Sequence, residues 1–168
     1  MHYYKEELLK KFKKYNVVKY GMFRLSSGII SDKKVVLDKA IQDPVVLELI
    51  VNLMEMKIGH MSLRRNLKGF DVLVGQKSNG DIVAEALAKK LDCDFVAYDK
   101  NNFTVGEHDL MYKTCWLIDD VWTTGRSIRS QCAWVEAQGS HAIGATVIVS
   151  RNIPKLTNYL VHLDELLK

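Results

Sequence analysis

Long apolar runs are missing from this sequence of 168 residues. No stretch approaches the roughly 18 residues that a membrane-spanning helix needs, and the opening residues Met-His-Tyr-Tyr-Lys-Glu-Glu contain no apolar signal-peptide core. Cysteine is also scarce. Cys93, Cys115 and Cys132 are odd in number and show no Cys-x-x-Cys spacing, which argues against a disulfide framework and against a zinc site. These absences predict a cytoplasmic protein with reduced thiols.

A strong charge of one sign is missing as well, because 24 basic and 20 acidic residues leave a net charge of +4. This balance is compatible with polyanionic small substrates, whereas nucleic acid binding requires a clustered basic patch. The nearest candidate is the group of lysines at 10–14, which alternate with Leu8, Leu9 and Phe12 and fit the solvated face of a helix. Neither a nucleic acid nor a membrane is therefore expected as a partner.

The second half of the chain alternates between apolar strands and helices. Strands are predicted at 71–75, 94–98, 115–118 and 142–149, and helices at 81–91 and 127–138. This order predicts an α/β fold with a central, mostly parallel sheet flanked by helices. Earlier in the chain we expect helices at 3–14 and from Pro44 to about Gly59, the second with Asp43 as its cap, and β-like residues at 34–37. Repeats and linkers are absent from the sequence, so a single domain is predicted.

Residues 115–127, Cys-Trp-Leu-Ile-Asp-Asp-Val-Trp-Thr-Thr-Gly-Arg-Ser, are the most informative stretch. The apolar run indicates a buried parallel strand, and Asp119 and Asp120 would follow at its carboxyl end, where open α/β sheets bind ligands. The turn after them offers hydroxyl and N–H groups at a helix N-terminus, which suit a phosphate. Carboxylates can bind sugar hydroxyls and help to hold hydrated Mg²⁺. Together these groups predict a pocket for a phosphorylated sugar; an ordinary helix cap would explain Ser127 or Thr124, but not two adjacent carboxylates.

A second turn, Val74-Gly-Gln-Lys-Ser-Asn-Gly80, also connects a predicted strand to a predicted helix. Lys77, Ser78 and Asn79 supply hydrogen-bond donors between its two glycines. A sugar diphosphate carries phosphate groups on both sides of its ring, so a second phosphate-binding turn at a neighbouring strand end would fit it. We expect Lys77 to contact the pyrophosphate; the alternative is an exposed lysine in a common type of turn.

Residues 115–127 resemble the thirteen-residue signature of the type I phosphoribosyltransferases, which use 5-phosphoribosyl 1-diphosphate (PRPP). The resemblance implies that the two carboxylates contact the ribose hydroxyls and that the following turn holds the 5-phosphate. Arg126 departs from the small residue that is usual in the family, and it could contact a phosphate or point into solvent. The implied PRPP site consists of Asp119, Asp120, Val121, Trp122, Thr123, Thr124, Gly125, Arg126 and Ser127, with Lys77 and Ser78 from the second turn.

Residues 23–38 are similar to a segment of the orotate phosphoribosyltransferases that runs Leu-x-Ser-Gly-x-x-Ser and ends in Asp38. The aromatic residues that follow the last serine in that family are replaced here by residues 33–36. The similarity implies a base pocket with Ser27, Gly28 and Arg151, the last at the position of an arginine near the pyrimidine; a surface arginine is the alternative. It also implies the type I phosphoribosyltransferase fold, with a small N-terminal helix and strand hood (1–40) on a core (70–150), and a homodimer.

Residues 99–113 depart most from the orotate enzymes, which have a basic mobile loop here that reaches the site of a partner subunit. This chain offers Lys100 and, more loosely, His108. The resemblance makes both catalytic, together with Asp119 and Asp120. The atypical loop indicates either a rebuilt catalytic loop or slow or absent turnover.

The expected function is the transfer of ribose 5-phosphate from PRPP to a nitrogenous base, in the first place orotate, which gives orotidine 5′-phosphate and pyrophosphate. We expect Mg²⁺ to be bound mainly through PRPP, with no metal ligand from the protein. Two alternatives stay open: a non-catalytic homologue that binds PRPP or a nucleotide, and a phosphoribosyltransferase for a purine or another base.

Overall fold

The structure is a computed structural model that describes residues 1–25, 27–65, 69–100, 110–152 and 157–167. Its elements in chain order are α1 (His2–Lys14), β1 (Val18–Arg24), β2 (Ile30–Val35), α2 (Asp38–Ile41), α3 (Pro44–Arg65), β3 (Val72–Gln76), α4 (Gly80–Leu91), β4 (Asp94–Tyr98), β5 (Thr114–Trp122), α5 (Arg126–Ala137), β6 (His141–Ser150), β7 (Asn158–His162) and α6 (Leu163–Leu166). In these ranges no helix is both long and apolar enough to cross a membrane.

The central sheet consists of parallel strands in the order β4-β3-β5-β6-β7. Helix α4 joins β3 to β4, and α5 joins β5 to β6. The predicted α/β class with a mostly parallel sheet flanked by helices is confirmed. Its strands are apolar at successive positions because both faces are covered by helices: Leu73 and Trp116 pack with α1, α3 and α4, whereas Val74 and Leu117 pack with α5.

The N-terminal part adds an antiparallel hairpin of β1 and β2, separate from the main sheet. The hairpin is fixed to the core through the segment that follows it, because Leu37, Ala40 and Ile41 are buried. The predicted cap of α3 is confirmed, since the Val45 N–H donates to Asp43 Oδ1 at 2.9 Å.

Three sequence predictions about element boundaries were wrong. Helix α3 does not stop near Gly59 but continues to Arg65. A glycine inside a helix costs about 1 kcal/mol. Packing outweighs this cost, because Ile58 is buried before Gly59 and Met61 packs against the same core after it. The second β strand spans Ile30–Val35 rather than 34–37, and β7 was not predicted.

The third error concerns strand β5, which does not end before the two aspartates but includes them and runs to Trp122. The reason lies in its two neighbours. Pairing with β3 stops at Ile118, whereas pairing with β6 continues to the pair of Trp122 and Ser150. One edge of β5 is therefore released from β3 at Asp119, while the other edge keeps the strand extended. This release places the carboxylates at an opening of the sheet.

Candidate functional site

A cavity of about 820 Å³ lies where the carboxyl ends of β3 and β5 meet the β1–β2 hairpin. Its lining carries six basic side chains and two acidic ones among the described residues, and this surplus of positive charge suits a polyanionic ligand. The acidic residues are Asp119 and Asp120; the basic residues are Arg24, Lys34, Lys77, Lys100, Arg126 and Arg151.

The two carboxylates differ in their surroundings. Asp119 is only 4% exposed, and its Oδ1 accepts the Asp120 N–H at 2.9 Å. Burial, with the neighbouring charge of Asp120 as the next cause, raises the pKa of Asp119 to about 7, although a hydrogen bond from Ser127 opposes the rise. Asp120 accepts a hydrogen bond from Asn79 at 2.9 Å on its Oδ2. Asp119 is therefore the deeply buried member of the pair, and Asp120 is held at the cavity wall by the amide of Asn79.

Because of this raised pKa, we expect Asp119 to make the stability of the fold depend on pH. The usual pKa is 3.8, so between about pH 4 and pH 7 the folded chain holds a proton that the unfolded chain has released. The resulting stabilisation is fully present below about pH 4 and is lost as the pH rises through about 7. From pH 5 to pH 8 the loss is about 3 kcal/mol, from roughly two pH units at 1.4 kcal/mol each.

Asp119→Asn should lack this loss, so its free energy of unfolding in urea should gain about 3 kcal/mol relative to the unsubstituted chain between pH 5 and pH 8. Asp92→Asn is the matched control, because it makes the same chemical change at an exposed residue with left-handed backbone at the end of α4. Parallel pH profiles of the unsubstituted chain and Asp119→Asn would contradict the prediction.

The turn after β5 is built to present its polar groups to the cavity. Gly125 precedes α5 with φ 74°, and a Cβ on it would lie 2.7 Å from Trp122 Cζ2. Arg129 Nη1 donates to Thr124 O and Asn152 Nδ2 donates to Thr123 O, both at 2.9 Å, so these two carbonyls are satisfied. The hydroxyl side chains of the turn line the cavity at the N-terminus of the 12-residue helix α5, where the helix dipole favours an anion.

The remaining residues of the predicted PRPP stretch also border this cavity. Val121 and Trp122 lie on its wall, and Ser127 Oγ, at its edge, lies 3.0 Å from Gln76 Oε1. Arg126 is exposed and lines the cavity, so its side chain is both solvated and within the site.

The second turn packs tightly against β5. A Cβ on Gly80 would meet Ile118 O at 2.9 Å and Asp119 Cα at 3.1 Å. Lys77 lies on the cavity wall with its side chain 49% exposed, and its Nζ pairs with Asp99 Oδ2 at 3.1 Å. Ser78 adopts φ 120°, a strained conformation for a residue with a side chain, and such strain concentrates at ligand sites.

Two of the three predicted base-binding residues border the cavity, and the third does not. Ser27 Oγ is buried without a hydrogen-bond partner among the described residues. The Arg151 guanidinium donates to Lys33 O at 2.9 Å and to Ser31 Oγ at 2.7 Å, which ties β2 to the end of β6. Gly28 is not part of the lining; it closes the hairpin turn by donating its N–H to Leu25 O.

The predicted loop residues divide similarly. Lys100 lines the cavity, whereas His108 lies outside the described residues. Sequence reasoning missed Arg24, Lys34 and Gln76; the basic residues stand at exposed positions of the hairpin strands, a pattern that an alternation test could have singled out. In the described ranges no group of three or more His, Cys, Asp or Glu side chains is placed to hold a metal ion.

Comparison with known proteins identifies the family. Residues 49–161, about two thirds of the chain, match the family model for the phosphoribosyl transferase domain. The chain is 30% identical over 154 residues to the orotate phosphoribosyltransferase of Methanosphaera stadtmanae, which covers 88% of this chain and 83% of that protein. It is also 27% identical over 113 residues to the transcriptional regulator GfcR of Archaeoglobus fulgidus, covering 60% of this chain and 58% of that protein.

The fold agrees with this assignment. The crystal structure of orotate phosphoribosyltransferase from Aeropyrum pernix superposes with a TM-score of 0.77 and 23% identity, covering 95% of this chain and 96% of that one. This chain therefore belongs to the phosphoribosyltransferase family, has its type I fold, and is similar within it to orotate phosphoribosyltransferases.

Proposed function

We propose that this protein transfers the 5-phosphoribosyl group of PRPP to orotate, with release of pyrophosphate. The observation that carries the proposal is the placement of two adjacent carboxylates between two phosphate-type turns in one basic cavity. A pentose with a phosphate at one end and a diphosphate at the other needs this order of groups: anion site, hydroxyl acceptors, anion site.

On the sugar side, Asp119 and Asp120 are the acceptors for the ribose hydroxyls. The 5-phosphate binds at residues 123–127, where hydroxyls and the N-terminus of α5 are available. The pyrophosphate binds at Lys77 and Ser78, with Lys100 as a further cation. Mg²⁺ would be held mainly through PRPP, because magnesium in proteins is usually bound by substrate phosphates and water with few carboxylate ligands.

On the base side, Ser27 and Arg151 are the proposed contacts, with Gly28 in the adjoining turn. An arginine guanidinium matches the planar geometry of a carboxylate or of a ring carbonyl group. Ser27 Oγ is a buried hydroxyl that lacks a partner within the described structure, and such a group gains from a ligand that accepts or donates a hydrogen bond. When the base binds, the Arg151 guanidinium would either leave its hydrogen bonds to β2 or make them together with those to the base.

The reaction is a displacement at C1 of the ribose. The bond from C1 to the pyrophosphate oxygen breaks through an oxocarbenium-like state, and its electron pair leaves with pyrophosphate. The base nitrogen forms the new bond on the opposite face, and the proton that it loses passes to the leaving pyrophosphate or to solvent. The protein contributes position, charge stabilisation and exclusion of water. Lys77 and Lys100 stabilise the leaving group, and His108 is proposed to do so with them. We also propose that the protein forms a homodimer and acts in the cytoplasm.

The test is an assay with PRPP, Mg²⁺ and a panel of orotate, uracil, adenine and hypoxanthine, in which pyrophosphate release and the nucleotide product are both followed. We expect release with orotate and formation of orotidine 5′-phosphate. Pyrophosphate release with adenine or hypoxanthine but not with orotate would contradict orotate as the substrate and would identify a purine as the base.

A second candidate is a PRPP-binding regulator without turnover, which the similarity to the regulator GfcR supports. The same experiment separates the two functions. PRPP binding in calorimetry with no pyrophosphate release for any base would favour the regulator and reject the transferase.

A further inference from the structure

One side-chain amide joins two carboxylates, of which Asp120 lines the cavity. Asn79 Nδ2 donates to Asp120 Oδ2 at 2.9 Å and to Asp38 Oδ1 at 3.0 Å. An amide nitrogen carries two hydrogens, so both donors are used. Asn79 is only 6% exposed, and a buried donor paired with a charged acceptor is costly to lose.

Asn79 gives up its ordinary local role to make this bridge. It is the residue before the first turn of α4, where asparagine is among the best helix caps, yet its side chain makes no cap hydrogen bond. A residue that breaks a local preference without a local gain points to a functional constraint. The following residue explains how the bridge is reached: Gly80 lets the start of α4 pack directly on Ile118 and Asp119.

Asp38 fixes which end of the amide faces Asp120. With the amide turned over, its carbonyl oxygen would face two carboxylate oxygens and be repelled by both. Asp38 itself begins the short helix α2, which is anchored by the buried side chains of Leu37 and Ile41. The hood therefore holds the Asn79 amide, and the amide in turn holds Asp120.

We propose that Asn79 is a positioning residue for Asp120: together with Asp38, it sets the orientation of the sugar-binding carboxylate before PRPP arrives. This inference rests on the proposed function, because it assigns Asp120 to the ribose hydroxyls. Asn79 donates its hydrogen bond to Oδ2 of Asp120 and thereby orients this carboxylate, and the Asp120 side chain remains part of the cavity wall. A pre-oriented acceptor spares the sugar the entropy of ordering it, so the effect belongs to PRPP affinity rather than to the base.

The variants are chosen so that the helix start is preserved. Asn79→Asp keeps the size and the capping ability of the residue but replaces its donors by a third carboxylate oxygen. Asn79→Ser also caps well, but its hydroxyl is too short to span both carboxylates and adds no charge. Asn52→Asp is the matched control, since it makes the same change on α3, where Asn52 accepts a hydrogen bond from Lys90 away from the cavity.

We expect the Kd of PRPP in calorimetry to rise by up to about tenfold in Asn79→Ser, as the cost of ordering one side chain implies, and further in Asn79→Asp, where a third carboxylate repels Asp120. The KM for the base and kcat at saturating PRPP should change less than about threefold, because preorganisation acts on sugar binding. Asp38→Asn should give a smaller rise in Kd, and Asn52→Asp none. Thermal unfolding of every variant reports whether it is folded.

The inference is overturned if folded Asn79→Ser binds PRPP with a Kd within about twofold of the unsubstituted chain, a difference no larger than the smallest ordering cost of one side chain. It is also overturned if base KM, kcat and PRPP affinity all worsen together, since that is the result of a general structural role. Calorimetry needs no turnover, so a chain that binds PRPP without releasing pyrophosphate rejects the proposed transfer and still decides the role of Asn79. A chain that binds no PRPP rejects both.

Discussion

Replacement of Asp120 by asparagine is expected to lower kcat/KM for PRPP by about 100- to 1000-fold, if the carboxylate accepts two ribose hydroxyls. Each hydrogen bond to a charged acceptor contributes about 1.5–3 kcal/mol, and 1.4 kcal/mol corresponds to a factor of ten. The amide keeps the size of the side chain, so the lost quantity is the negative charge. One oxygen can still accept from Asn79, which leaves the amide nitrogen, a donor only, for the sugar.

The measurement is initial rates over a range of PRPP at saturating base, supported by calorimetry with PRPP. Asp94→Asn is the control, because Asp94 lies at the opposite, amino end of the sheet and pairs there with Lys113. A kcat/KM of Asp120→Asn within about fivefold of the unsubstituted chain would contradict the assignment, because it is less than one charged hydrogen bond should contribute.

The site could be predicted where several local signals coincide. In 115–127 an apolar run, two carboxylates and a hydroxyl-rich turn occur in sequence, and each has a separate physical reason to be near a strand end. The cavity collects all the described residues of that stretch from Asp119 onward. Lys77 and Ser78 are found there as well, because their turn follows a neighbouring strand of the same sheet.

The contacts that arrange these groups were not predictable from local pattern. Asn79 is 41 residues from Asp120 in the chain, and Arg151 is 118 residues from Lys33. The first pair depends on how the turn after β3 packs on β5, and the second on how the hood sits against the sheet; periodicity carries no information on either. The end of β5 was predicted wrongly for the same reason. The end of the apolar run marks a change of burial, whereas the end of the strand is set by its pairing with β6.

The second large effect is expected for Gly125→Ala in the phosphate-binding turn. The backbone there has φ 74°, which costs a residue with a side chain about 1–2 kcal/mol. The added methyl group would also lie 2.7 Å from Trp122 Cζ2, so the indole or the turn must move. Because the 5-phosphate is bound by the same turn, we expect PRPP affinity to fall by roughly 100-fold and the free energy of unfolding by at least about 2 kcal/mol.

Gly139→Ala separates the two causes. Gly139 also has φ 74°, but a Cβ there would meet only Met111 Cγ at an ordinary 3.7 Å. It should therefore show the backbone cost alone, about 1–2 kcal/mol in urea unfolding, with unchanged PRPP affinity. If Gly125→Ala lost no more stability than Gly139→Ala and still bound PRPP normally, the Trp122 contact would not constrain the turn. The 5-phosphate would then have to bind elsewhere in the cavity.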